Sequence, residues 1–188
     1  VSDYPLFDYQ PYELVLASRI VDVVKHEGLD LMHVHYAIPH ASAAFMAREI
    51  LKSQGLYIPF ITTLHGTDIT LVGKDASFEP VITFAINQSD AVTAVSESLR
   101  ADTFEHFGVT REVEVIPNFI DLGRYEGCVT DGVIKAFAPN GEKILFHASN
   151  FRPVKRVEDV VRVFSKIKEE IPCKLLLAGD GPERSKIE

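Results

Sequence analysis

The stretch IPFITTLHGTDIT, residues 58–70, decides how the rest of the chain is read. Its first half is apolar and β-rich, as a buried strand is. A histidine, a glycine, threonines and Asp68 follow at once. Gly66 lets the chain turn sharply, so that His65 and Asp68 are expected to project polar groups into a crevice. Strand, small polar cluster, then helix is the grammar of an open parallel sheet. Such sheets bind ligands at the carboxyl ends of their strands, where helix N-termini converge. The grammar recurs in HVHYAIPH (33–40), TAVSESLR (93–100), SNFRPVKR (149–156) and LLLAGDGPE (175–183).

Working outward, the apolar spacing predicts helices over 12–26, 41–52, 79–87, 97–107 and 157–169, with one more from Pro182. Gly28 is placed to stop the first. Strands are expected at 31–34, 57–64, 91–95, 113–116, 143–148 and 174–178. Periodicity lapses over 121–141, where five residues are Gly or Pro, and this is the expected linker. The reading is two α/β units with parallel sheets: residues 1–121, a linker at 122–141, and 142–188. An opening valine, and a final GPERSKIE that stops as a helix begins, lead us to expect a piece of a longer chain.

The 188 residues are 46% hydrophobic and 24% charged, within the range of chains that fold around a core. A net charge of -8 disfavours diffuse binding to nucleic acid or anionic membrane. An anionic ligand would need a local basic cluster. No apolar run approaches a membrane span and no signal peptide pattern opens the chain, so a cytoplasmic location without integral membrane association is expected. Cys128 and Cys173 lack CxxC spacing; plain small residues in a reducing compartment are the expectation.

SNFRPVKR supplies that basic cluster. Ser149 and Asn150 stand at a strand end, and Arg152, Lys155 and Arg156 lead into the helix from Val157, which together suit a phosphate or diphosphate. The alternative is a solvated turn paired with Glu158 and Asp159. Gly179, Asp180 and Gly181 form either a close-approach loop or an ordinary turn. His65 can meet a sugar hydroxyl or developing negative charge. Among HVHYAIPH, Tyr36 is the better contact candidate. His33 and His35 share a strand face and read as hydrogen-bonded residues, since no carboxylate or cysteine completes a metal set. Ser96 reads as a helix cap, and Asn118 as turn-former or ligand contact. Neither a nicotinamide fingerprint nor a P-loop occurs.

In order and spacing, HVHYAIPH, TTLHGTDIT, SDAVTAVSESL, VIPNFID, SNFRPVKRVEDVV and LLLAGDGPE resemble the retaining glycosyltransferases of family four. That resemblance implies a GT-B fold of two Rossmann-like domains, both truncated here, with the site in the cleft between them and the nucleotide held mainly by the second. HYAIPH, TTLHGTDIT and SNFRPVKR are most similar to the branch that moves N-acetylglucosamine from UDP-GlcNAc to L-malate in bacillithiol synthesis. It implies a transferase with no cofactor and no metal, whose partners are UDP-GlcNAc and L-malate; assembly into a homo-oligomer is left open. Lys155 matches the family's diphosphate lysine; Asn150 stands where many relatives carry arginine, so Arg152 or Arg156 is expected to supply that charge. His65 matches the histidine that contacts the donor sugar, and Tyr36 and Thr63 match positions near the acceptor. The family's first glycine-rich loop and paired glutamates do not occur, so the isolated chain is expected to be inactive. The stretch 55–60 is longer than the malate branch leads one to expect. Alternatives are another family-four transferase using a UDP- or GDP-sugar, or a non-catalytic nucleotide-sugar-binding fragment.

Overall fold

Phe60–Leu64 forms a strand, β2, in the middle of a parallel sheet. Met32–His35 (β1) pairs on one side, Ala91–Ala94 (β3) on the other, and Val113–Val115 (β4) lies beyond β3. The computed structural model describes residues 11–71, 75–127 and 131–188. The chain divides between Ile120 and Asp121 into two compact units.

In the first unit Tyr12–Glu27 (α1) ends at Gly28, whose φ of 64° and amide bond to the Val24 carbonyl terminate the helix as expected. Ser42–Ser53 (α2), Glu79–Gln88 (α3) and Glu97–His106 (α4) follow. Ser96 caps α4, its hydroxyl accepting from the Leu99 amide at 3.2 Å. Phe60, Thr62 and Leu64 alternate on one face of β2 and are fully buried. The core there contains Met32, Ala43, Ala44, Ala47 and Leu51, and further along Ile82, Ile86, Val92 and Ala94. Three alanines within one turn and a half of α2 let helix and sheet approach closely. The opposite face carries His33, His35, Ile61, Thr63 and Thr93, and it is this polar face that positions the site.

A charge is clamped at the amino end of the sheet. Arg48, 6% exposed, lies over the rings of Phe45, Phe60 and Tyr57 and donates to the Asp90 carboxylate at 3.1 Å and the Gln88 carbonyl at 3.0 Å. Asp90 also accepts from the Phe60 amide and the Tyr57 hydroxyl, both at 2.9 Å. Burial works against the ionised Asp90, yet those donors and Arg48 hold its carboxyl below the usual range.

In the second unit Lys143–Ala148 (β5) pairs in parallel with Cys173–Ala178 (β6). Around them lie Asp131–Phe137 (α5), Val157–Glu170 (α6) and Arg184–Ile187 (α7). The stretch that reads as structureless thus holds a short 3-10 turn, Leu122–Tyr125, and α5. Its Gly and Pro residues mask a two-turn helix too short to show a period. Cys173 is buried and free, whereas Cys128 lies outside the described residues.

Candidate active site

β1 and β2 end side by side, with His35 opposite Thr63. The Tyr36 amide still reaches the Thr63 carbonyl at 2.8 Å, but Tyr36 adopts φ 78° and ψ 135°, an unusual region for a side chain with a Cβ. An irregular wide turn over Ala37–Ala41 then delivers the chain into α2. After β2, a similar turn spans Thr67–Leu71.

Asp68 joins these two turns. It is 2% exposed, and its carboxylate accepts from the Ala37 amide at 2.8 Å and the Gly66 amide at 3.1 Å. Asp68 therefore does not project into a crevice as its place in the motif suggests. Two inward amides with no strand partner draw the carboxylate in.

Four histidines converge beside this brace. His65 Nε2 is 2.7 Å from His35 Nδ1. His40 Nδ1 donates to the His35 carbonyl at 2.5 Å. His33 Nε2 is 2.8 Å from the Thr63 hydroxyl, which is itself 2.7 Å from the Thr93 hydroxyl, giving a polar row across three strands. The Tyr36 ring lies 5.1 Å from the His65 ring. A cavity of about 310 Å³ opens on this face, its polar lining made by His33, His35, Thr63, His65, Thr93 and Asn118 and its walls by Ile61, Val95 and Phe119. Burial, then the neighbouring His35, lower the basicity of His65 from its ordinary 6.5, outweighing Asp68. At neutral pH its imidazole is uncharged. Among the described residues no group of three or more His, Cys, Asp or Glu side chains is placed to hold a metal ion.

In the second unit, Ser149 and Asn150 follow β5, a 3-10 turn spans Pro153–Lys155, and Arg156 (φ 50°) leads into α6. Phe151 is buried, and its amide donates to the Asp180 carbonyl while its carbonyl accepts from the Glu183 amide, both at 2.9 Å. The Gly179–Gly181 loop therefore lies directly on the 149–151 backbone. A Cβ at Gly179 (φ 142°) would meet the Ser149 carbonyl oxygen at 1.9 Å, and one at Gly181 (φ 155°) would meet the Phe151 carbonyl oxygen at 2.7 Å. The glycines are required by loop-on-loop packing. Of the three cations, Arg156 is bound to Asp159 at 2.6 Å. Arg152 and Lys155 are exposed and, among the described residues, pair with no side chain. Ser149 Oγ is 2.8 Å from His147 Nε2.

The profile of Glycosyltransferase Family 4 matches residues 1–124. This chain belongs to glycosyltransferase family 4. Over 184 residues, 97% of its length, it is 48% identical to the N-acetyl-alpha-D-glucosaminyl L-malate synthase of Bacillus anthracis, of which it covers 48%. Among solved structures, a glycosyltransferase from Rickettsia africae matches all of the chain with TM-score 0.68 at 20% identity, the chain covering 47% of it. Sucrose-phosphate synthase from Thermosynechococcus elongatus matches 96% of the chain with TM-score 0.65 at 20% identity, and 46% of that protein is covered. These likenesses fix the GT-B fold for this family 4 chain. The chain spans about half the length of the relatives it matches.

Within the family 4 chain, His65, Tyr36 and Thr63 all fall at the β1 and β2 ends, and Thr63 and His65 line one cavity. Tyr36 stands beside His65 without lining that cavity. Ser149, Asn150, Arg152, Lys155 and the Gly179–Gly181 loop meet at the ends of β5 and β6. Sequence reasoning missed the His35 to His65 contact and the place of Thr93. Two-residue spacing puts His33 and His35 on one face of β1, but bringing Thr63 opposite Thr93 and His35 beside His65 takes the strand register, which the sequence does not state. No helix among the described residues is long and apolar enough to cross a membrane.

Proposed function

We propose that this family 4 glycosyltransferase moves N-acetylglucosamine from UDP-GlcNAc to L-malate, in the cytoplasm, with retention at the sugar carbon and with neither metal nor cofactor. One observation carries the donor half: Arg152 and Lys155, two cations without a side-chain partner among the described residues, stand in the turn after β5, just beyond the backbone on which the Gly179–Gly181 loop packs. Local positive charge in an acidic chain suits a diphosphate. The likeness to the Bacillus anthracis enzyme supports malate as the acceptor.

In this reading Lys155 and Arg152, with Ser149 and Asn150, hold the diphosphate, and the Gly179–Gly181 loop lies against it. A neutral His65 bonds a sugar hydroxyl, while Tyr36 and Thr63 contact malate. The malate hydroxyl oxygen forms a bond to the anomeric carbon as the bond to UDP breaks, and its proton passes to the departing phosphate oxygen. Cations at Lys155 and Arg152 lower the cost of the charge that develops there.

The test is malate-dependent release of UDP from UDP-GlcNAc by the full-length protein. Lys155→Ala is expected to lower turnover about a hundredfold. No release, or release indifferent to malate, would reject the assignment; normal turnover in Lys155→Ala would reject the diphosphate role.

A further inference from the structure

The contact between His35 and His65 has a chemical consequence of its own. A hydrogen bond between two imidazole nitrogens uses a single hydrogen, so one ring donates and the other accepts. If both rings were protonated, two N–H groups would meet head on and the 2.7 Å contact would be lost. Each ring thus commits one nitrogen to the other. Among the described residues, His65 Nδ1 and His35 Nε2 have no protein partner, and both rings line the same cavity.

The groups packed around the pair do not offer a competing partner. His33 stacks on His35 with centroids 4.8 Å apart and spends Nε2 on Thr63. His40 spends Nδ1 on the His35 carbonyl. The Asp68 carboxylate is taken by the Ala37 and Gly66 amides. The Tyr36 ring lies against His65, and β3 and the segment after β4 bring Thr93 and Asn118, which do not titrate.

We propose that His35 is a positioning residue for His65: the shared hydrogen admits at most one extra proton on the pair and, while both rings are neutral, makes the bonding sense of His65 Nδ1 opposite to that of His35 Nε2. A proton taken up at His65 Nδ1 forms an N–H bond there, shifts the shared hydrogen from His65 Nε2 to His35 Nδ1, and releases the hydrogen of His35 Nε2. The site can then meet a hydroxyl as donor or acceptor without gaining charge. This rests on the role proposed for His65. The lowered basicity of His65, from burial first and His35 second, accords with it.

The test uses the full-length protein labelled with 15N-histidine. In the wild type, long-range 1H–15N spectra are expected to show His35 and His65 taking up only one proton between them from pH 7 to 5. His35→Phe keeps the stacked ring but not the nitrogen; in it, His65 is expected to titrate alone, nearer its ordinary value. Turnover is expected to fall about tenfold, with little change in donor KM. His35→Asn, whose amide occupies the place of Nδ1, is expected to restore most of the turnover. Independent titration of both rings in the wild type, or wild-type turnover in His35→Phe, would overturn the proposal. Should the protein transfer no sugar to malate, the functional reading fails while the spectra still decide the pairing.

Discussion

Asp68 shows how a residue that reads as ligand-binding can be structural. Its carboxylate satisfies one amide from each of two turns, and it is nearly inaccessible. Asp68→Asn is expected to lower stability by about 1–3 kcal/mol, measured by urea unfolding, because an amide nitrogen facing one of those N–H groups leaves it unsatisfied. Wild-type stability would show that the brace is dispensable. His65 makes the complementary case. Burial holds its folded basicity below that of the unfolded chain, so below about pH 6.5 the unfolded state binds more protons and stability falls with acid. Above that value the contribution is fully present. The position of His65 was legible in TTLHGTDIT, but its partner was not, since the contact spans 30 residues and depends on strand register.

At the scale of elements, strand-helix alternation was readable because strands such as FITTL and AVTA are apolar or β-branched runs and a small polar cluster closes most of the strands. The exceptions have physical causes. Ala37–Ala41 gives no signal of its own in the sequence, because a wide turn has no period. α5 escapes notice because it contains a glycine and is only seven residues long. At Gly132 in that helix a Cβ would find nothing within 4 Å, so Gly132→Ala is expected to stabilise by about 0.5–1 kcal/mol. Gly179→Ala is expected to cost about 3 kcal/mol or more, because its Cβ would collide with backbone. Equal thermal midpoints for the two variants would contradict the interlocked loops. The Arg48 and Asp90 clamp ties α2 to the starts of β2 and β3. Its carboxyl titrates lower when folded, so its contribution is complete above about pH 4 and is lost as pH falls through the depressed value. Asp90→Asn is expected to flatten the acid limb of stability measured between pH 6 and 3.

Over the whole molecule, burial is distributed unevenly. Among the described residues every buried apolar side chain except Ala138, Phe151, Val157 and Cys173 belongs to the first unit. Within the 188 residues the second unit contributes one pair of strands, β5 and β6. In the 188-residue chain, where β5 and β6 pair only with each other, amide hydrogen exchange is expected to be slowest in β2 and β3 and roughly a hundredfold faster in β5 and β6. Uniform protection would refute this. The division into two α/β units was legible from the restart of the alternation after residue 141, whereas the pairing of β5 with β6 is a matter of register that neither segment states alone. For anyone recombining family 4 proteins, the seat of Phe151 between Asp180 and Glu183 sets a rule. SNFRPVKR can be transplanted only into a parent with glycine at the places of Gly179 and Gly181, since its backbone leaves no room there for a Cβ.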